Sequence, residues 1–326
     1  MGKLKGWQFT GTGEPLNLVE QEIPTAKEGY VVIKVDNCGL CHSDVGALDD
    51  PGWVGAIIKK VPVIMGHEAA GVITEVGEGV SDWQVGDRVA VCPMYTDTDA
   101  GPGYGRDGGY ANYTTAPQEM LVKVPDNVDM AQAAASTDAG MTSYHAVVDV
   151  GGVTKGTKVG IIGVGGLGTV GARVAIGLGA EVYAASRSES ARKKIEEDGA
   201  VKTAESILDF KDDNLDVIVD FAGAGKTTSD ALETVGFKGK VVVVGMAKLE
   251  ANINTSALIT KQAIVEGSNG GTRDSIENVL DLISKGELEI DIEKIPFDQV
   301  PEKIDVLRQG SVERRFVMET SEADYE

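Results

Sequence analysis

Apolar and polar residues follow two different rhythms along this chain. In the first part, short stretches alternate with a period of two: Lys5 to Thr10, Tyr30 to Asn37, Ala69 to Val76 and Asp87 to Val91. That period puts successive side chains on opposite faces and predicts half-buried strands. Turns bearing glycine or proline separate them, at Glu14-Pro15, Gly77-Glu78-Gly79 and Gly86-Asp87. Many short strands and no long helix predict a small, β-rich, barrel-like domain running to about residue 140. Beyond it the rhythm changes. Apolar runs at Val159–Gly163, Val182–Ala185, Leu215–Asp220 and Val241–Gly245 alternate with helix-like stretches, and Ile264–Ser268 is a further strand candidate. This is the βαβ pattern of a parallel, doubly wound α/β sheet. Ser275–Ser284 reads as an amphipathic helix stopped by Lys285-Gly286. Phe297–Leu307 and a closing apolar strand, Phe316-Val317-Met318, are expected to return to the first domain. The expected division is 1–140 with 270–326 in one domain, and 141–269 in the other.

Within the second pattern, Val159 to Gly179 reads as strand, glycine turn, helix. The turn is Gly163-Val164-Gly165-Gly166-Leu167-Gly168, a G-x-G-x-x-G sequence in the context a dinucleotide site requires. Glycine lets the backbone bend sharply and lets a pyrophosphate approach the main chain. The helix behind it offers free N–H groups and its positive dipole end. In NAD sites an acidic residue about 20 residues on holds the ribose hydroxyls. Here the second strand ends in Ser186-Arg187-Ser188, with Arg192 and Lys193 at the start of the next helix. An aspartate would repel a 2′-phosphate, whereas Arg with Ser binds one. The expected cofactor is NADP(H).

Composition narrows the partners. The 326 residues are 42% hydrophobic and 25% charged, as in a globular protein of two domains. The 51 acidic residues outnumber 30 basic ones, for a net charge of −21. That excludes nucleic acid and anionic membrane surfaces as expected partners. The 21 lysines argue for an ordinary acidic protein over one adapted to a salt-rich cytoplasm. No signal peptide or membrane span is expected. Three cysteines are too few for a disulfide framework, so a reducing cytoplasm is expected. The acid-rich end, Glu319 to Glu326, reads as a solvated tail.

Three patches could carry chemistry: Cys38 to Asp44 (CGLCHSD), Gly66-His67-Glu68, and Ser136 to Tyr144 (STDAGMTSY). Taken singly, a cysteine in a core packs and a histidine makes an ordinary hydrogen bond. As a set beside a nucleotide domain, Cys, His and Asp match a catalytic zinc site, which has three protein ligands and one open position.

With these residues in view, the chain resembles the zinc-containing alcohol dehydrogenases of the medium-chain dehydrogenase/reductase superfamily over nearly its whole length. The anchors are CGLCHSD, GHEAAGVITEVGEGV, VGDRVAV, DGGYANY, the glycine turn and GSVERRFV. The resemblance implies a GroES-like barrel domain plus a Rossmann domain. It also implies one catalytic zinc on Cys41, His67 and Asp138. Asp138 stands where the family most often has cysteine; bacterial NADP-dependent secondary alcohol dehydrogenases resemble this chain in having Asp as the third ligand. Carboxylate oxygen is an acceptable but harder donor than thiolate. Glu68 is implied beside the metal, and Asp44 as the carboxylate that orients the zinc histidine. Ser43 matches the hydroxyl that takes the substrate proton. The histidine that ends the relay in some members is replaced by Gly46. His42 and Arg315 match residues at the cofactor pyrophosphate, with Arg314 a second choice, and Thr142 one near the nicotinamide. His145 is expected to be structural.

The family often carries a lobe with four cysteines around a structural zinc. The matching stretch, Cys92 to Gly109, has one cysteine. No structural zinc is therefore expected, and Cys92 and Cys38 are expected to pack. The implied activity is hydride transfer between NADP(H), held in the interdomain cleft, and a small primary or secondary alcohol or its aldehyde or ketone, in a homodimer or homotetramer. The loops after Asp220 and Gly245 are expected to border the nicotinamide. A zinc-independent quinone or enoyl reductase, and a non-catalytic NADPH-binding protein, are the alternatives. Trp53, Ile57, Met94 and Tyr95 are candidate pocket residues, and the segment Asp49–Val61 either lines the pocket or packs.

Overall fold

The computed structural model describes residues 2–52, 57–94, 101–310, 312 and 314–325. Trp53 and Tyr95 lie outside them. The chain divides into two compact units: Met1–Asp138 with Thr272–Lys285 and Ile290–Glu326, and Ala139–Gly271 with Gly286–Glu289. Among the described residues no helix is long and apolar enough to cross a membrane.

The first unit is built on antiparallel pairing. Strands β1 (Leu4–Phe9), β2 (Asn17–Gln21) and β4 (Val63–Ile64) form a small sheet in the order β2-β1-β4. The larger sheet is centred on β3 (Tyr30–Gly39), which pairs with β5 (Glu68–Val76), with β7 (Tyr113–Pro117) and with β16 (Arg315–Glu319). Beyond β5 lie β6 (Arg88–Val91) and β8 (Leu121–Lys123), and β15 (Ile292–Pro296) runs parallel to β16 at the other edge. Partners on both sides explain why β3 is buried at seven of its ten positions, where alternation alone predicted half. One core joins the two sheets, from Phe9, Ile33, Ile64 and Ile73 to Phe297, Ile304 and Met318. The closing segments thus belong to this core through β16 and helix α8 (Val300–Gln309), which packs on α1 (His42–Asp49). Ile58 joins the core and Ile57 packs against it, so this part of the Asp49–Val61 segment packs. The acid-rich terminus is not wholly a solvated tail. Its Tyr325 hydroxyl donates to the Val35 carbonyl at 2.5 Å, and Asn112 bonds the Asp324 carbonyl at 2.6 Å.

Helix α2 (Met130–Ala135) covers β3 and leads into the site described below. Its N-cap is Asp129, whose carboxylate accepts from the Ala131 N–H at 2.8 Å. Burial alone would raise the Asp129 carboxyl. The Ala131 N–H and the Lys294 ammonium outweigh it and hold the carboxyl below its usual range. A depressed carboxylate adds stability above the ordinary carboxylate range and loses it as pH falls through the folded value. Asp129→Ala should therefore cost about 1 kcal/mol at neutral pH, a deficit that closes on acidification. Urea melts at neutral and acidic pH check it, and an equal deficit at both would refute the assignment.

The second unit carries a six-stranded sheet, all parallel. Its strands are β9 (Lys158–Ile162), β10 (Glu181–Ala185), β11 (Lys202–Ala204), β12 (Val217–Asp220), β13 (Lys240–Val243) and β14 (Ile264–Gly267). They lie in the order β11-β10-β9-β12-β13-β14, so the topology reverses between β9 and β12. Helices α4 (Gly166–Gly177), α5 (Glu189–Glu197), α6 (Lys226–Thr234) and α7 (Thr255–Lys261) make the crossovers. This is the doubly wound order with its dinucleotide crevice at the carboxyl ends of the strands beside the switch point.

Candidate active site

Four donor groups converge in the first unit. Cys41 Sγ, a ring nitrogen of His67 and carboxylate oxygens of Glu68 and Asp138 lie within 4.8 Å of one another. Cys41 is the N-cap of α1, His67 follows β4, Glu68 opens β5, and Asp138 lies in a π-helical turn, Ser136–Gly140, after α2. Such turns insert a residue into the helical ladder and concentrate at functional sites. Cys41 Sγ is 3.2 Å from Asp138 Oδ2. His67 Nε2 is 3.8 Å from both Glu68 Oε1 and Asp138 Oδ2. His67 and Glu68 are buried, at 5% and 0% exposure.

The approach to His67 depends on a glycine. Gly66 has φ +93°, and a Cβ there would stand 2.5 Å from the Tyr110 N. The shortened lobe presses on the same peptide: a Cβ on Gly108 would stand 2.2 Å from the Gly66 O. This close approach requires glycine at Gly108, and a Cβ on Gly103 would likewise stand 2.9 Å from the Gly66 N.

Asp44 is fully buried and holds the cluster from behind. Its Oδ1 stands 3.3 Å from His67 Nδ1, which leaves Nε2 for the cluster. Its Oδ2 accepts from the Tyr110 hydroxyl at 2.6 Å and from the Cys41 N–H at 3.1 Å. The Tyr104 hydroxyl donates to Oδ1 at 3.1 Å and lies 2.9 Å from Ser43 Oγ. The Tyr104 ring also lies over His67, with ring centroids 5.0 Å apart. Sequence reasoning missed both tyrosines. The one signal for Tyr104 was an aromatic isolated among glycines.

The electrostatics follow from burial and charge. Burial and the Asp138 charge raise the Cys41 thiol. Burial pushes Glu68 up to about 7 against the pull of Arg315. Asp138 is held far below the carboxylate range, because His67 and Arg315 outweigh its burial. Arg315 is itself buried. Its Nε donates to Glu68 Oε2 at 2.7 Å, and its Nη2 donates to Glu68 Oε1 and, at 2.8 Å, to Asp138 Oδ2. Arg315 thus pairs with two carboxylates of the first unit. One thiol, one imidazole and two carboxylates are donor types that a divalent cation takes, and their convergence within 4.8 Å suits one, with Arg315 already supplying part of the counter-charge to the carboxylates. Cys38 and Cys92 are buried at 0% and 2% exposure, and all three cysteines are free thiols.

The second unit places the other set of residues. Gly165 is exposed at the N-cap of α4, and a Cβ there would meet open space. At Gly168 a Cβ would lie 1.9 Å from the Gly163 O, so only glycine closes this turn. Gly163, Gly165, Gly166, Leu167 and Gly168 thus form an open backbone cradle. The Ser143 hydroxyl bonds the Leu167 carbonyl at 2.8 Å and ties this cradle to α3 (Met141–Tyr144), which carries the buried Thr142. At the end of β10, Ser186 is half-buried and Arg187 is exposed. Ser188 caps α5 by accepting from the Ala191 N–H at 3.2 Å. Arg192 turns back on the loop and donates to the Ser186 and Arg187 carbonyls at 2.6 and 3.2 Å. Arg192 is therefore a brace, and Arg187 is the guanidinium this loop presents. His42 is exposed at the start of α1, and His145 Nδ1 bonds Asp149 at 2.9 Å.

Comparison with known proteins agrees with both halves. Residues 27–126 match the alcohol dehydrogenase GroES-like domain, and residues 166–285 the zinc-binding dehydrogenase family. An alcohol dehydrogenase of Geobacillus stearothermophilus is 31% identical, with 94% of this chain and 96% of that protein aligned. Cinnamyl alcohol dehydrogenase 2 of Rauvolfia serpentina is 29% identical, over 97% and 95%. Among solved structures, AibC superposes with a TM-score of 0.90 at 27% identity, over 98% of this chain and 97% of that one. Acetophenone reductase of Geotrichum candidum, solved with NAD, gives 0.88 at 28%, over 98% of each chain. The chain belongs to the alcohol dehydrogenases of the medium-chain dehydrogenase/reductase superfamily.

Proposed function

We propose that this protein is a zinc-dependent oxidoreductase that moves hydride between NADP(H) and a small primary or secondary alcohol or the matching aldehyde or ketone. The observation that carries this reading is the convergence of Cys41, His67 and Asp138, with Ser43 two residues after Cys41 in sequence. A zinc-independent reductase has no use for that set. Cys41, His67 and Asp138 would hold one zinc, with Glu68 alongside. When bound, zinc supplies a Lewis acid for the alcohol or carbonyl oxygen, and the nicotinamide supplies or accepts hydride.

The chain's own residues do the rest. Asp44 keeps the His67 ring turned with Nε2 into the cluster. Ser43 accepts a hydrogen bond from the substrate hydroxyl and is the first link of a proton relay that ends in water or a ribose hydroxyl. The glycine cradle takes the pyrophosphate on its N–H groups, with His42 and Arg315 as further donors. Thr142 borders the nicotinamide. Ser186, Arg187 and Ser188 face the 2′-phosphate, and Arg192 keeps their loop in shape. A single cysteine in the Cys92–Gly109 stretch supports a zinc count of one. Free thiols throughout suit a reducing compartment such as the cytoplasm.

The test is metal content per chain on protein supplied with zinc, followed by a screen of alcohols and carbonyls with both coenzymes. About one zinc per chain and NADP(H)-dependent turnover would support the reading. Bound NADPH without any turnover would favour a binding protein.

Assembly follows from an edge. β14 ends the sheet, all four of its residues are exposed, and Ile264 and Val265 stand 52% and 39% exposed. An unpaired apolar edge is a template for another strand. A second copy of the chain is the expected partner, as a homodimer or a pair of dimers. Light scattering that gives a 34.2 kDa monomer at micromolar concentration would remove this reading.

A further inference from the structure

We propose that Tyr104 is a positioning residue that fixes the Ser43 hydroxyl as a hydrogen-bond acceptor toward the substrate. The inference deepens the oxidoreductase reading and rests on it.

The direction of the hydrogen bonds carries the inference. A tyrosine hydroxyl has one hydrogen to give. Tyr104 Oη lies 3.1 Å from Asp44 Oδ1 and 2.9 Å from Ser43 Oγ. Asp44 is fully buried and gathers donors on both oxygens: the Tyr104 hydroxyl on Oδ1, and the Tyr110 hydroxyl and the Cys41 N–H on Oδ2. An ionised carboxylate only accepts, so the Tyr104 hydrogen goes to Asp44. If it went to Ser43 instead, two buried oxygens would face each other without a hydrogen, at a large desolvation cost. The remaining bond then runs one way, with the Ser43 O–H donating to Tyr104. Ser43 is left with oxygen lone pairs free to accept a hydrogen bond from an incoming hydroxyl. With neither anchor, Ser43 would rotate among three staggered positions.

Tyr104 is held for this task. It stands in a tight turn closed by Gly105 N–H to the Gly101 carbonyl and Gly103 N–H to the Arg106 carbonyl, at 3.0 and 2.8 Å. The Lys59 N–H donates to the Tyr104 carbonyl at 2.8 Å. The shortened lobe thus holds a hydroxyl against Ser43, while the position that in some relatives bears a relay histidine is Gly46.

A double-mutant cycle tests it, with Tyr104→Phe, Ser43→Ala and both together, on 2-butanol or cinnamyl alcohol with NADP⁺. Tyr104→Phe keeps the ring over His67 and removes only the hydroxyl. It should lower kcat about tenfold or more at unchanged zinc content, with KM moved less than about twofold. In the Ser43→Ala background it should cost nothing further, because Tyr104 acts through Ser43. Ser43→Thr, which keeps the hydroxyl, should retain the dependence on Tyr104.

A second readout is independent of turnover. In protein labelled with 3-fluorotyrosine, the Tyr104 resonance, assigned by its absence from Tyr104→Phe, should shift on Ser43→Ala. Additive losses in the cycle, a Phe variant at the wild-type rate, or a fluorine signal indifferent to Ser43→Ala would each overturn the proposal. Wild-type protein that turns over no alcohol or carbonyl overturns the oxidoreductase reading itself, which none of the other outcomes does.

Discussion

Asp138→Ala is expected to lose its zinc and about a thousandfold in alcohol turnover. A Lewis-acid metal is worth several kcal/mol to a developing oxyanion, and each 1.4 kcal/mol is about tenfold in rate. Without Asp138 the cluster keeps Cys41, His67 and the high-lying Glu68 carboxyl, which Arg315 already holds by two nitrogens. The substitution also takes one partner from the buried Arg315, so some loss of stability is expected. Two controls separate that loss from the chemistry. NADPH binding should survive, because the glycine cradle is untouched. Asp138→Cys should recover zinc, because thiolate is the more common third ligand in such sites. Asp138→Ala at wild-type zinc content and wild-type rate would remove the metal assignment.

Coenzyme choice should invert with two substitutions in one loop. Ser186→Asp with Arg187→Ala removes the exposed guanidinium and puts a carboxylate where a ribose would lie. A charge-assisted bond to phosphate is worth about 1.5–3 kcal/mol, or roughly tenfold to a hundredfold, and aspartate adds repulsion. The ratio of kcat/KM for NADP⁺ over NAD⁺ should therefore fall at least a hundredfold. Arg192 is left in place because it bonds the Ser186 and Arg187 carbonyls, and Ser188 because it caps α5. Removing either would blur a coenzyme effect with a folding one. A ratio unmoved by both changes would mean that the 2′-phosphate is held elsewhere, or that this chain prefers NAD.

Not every strand was legible from pattern. The central strands of the parallel sheet read clearly because burial on both faces makes them continuous apolar runs: GII within β9 and VIVD in β12. β2, β4, β7, β8 and β15 did not. They are two to five residues long and mixed in polarity, and pairing with β1, β3, β6 and β16 makes them strands. β11 was missed for the same reason: Lys202-Thr203-Ala204 has no pattern of its own and is recruited by β10.

The site divides along a similar line. The sequence by itself determined the glycine turn, because a 1.9 Å approach to a carbonyl admits no other residue, and the chemical type of Cys41 and His67, because the chain has only three cysteines and three histidines; Asp138, one of 51 acidic residues, stood out only beside them. The sequence also carried the absence of a carboxylate after β10. Which groups surround those donors was decided only in three dimensions. Tyr104 and Tyr110 reach Asp44 from 60 and 66 residues away, and Arg315 reaches Glu68 across 247. Distances of that kind leave no local trace in sequence. They arise because β16 pairs with β3 and the lobe packs on Gly66, and only the closed fold brings those partners within hydrogen-bond reach.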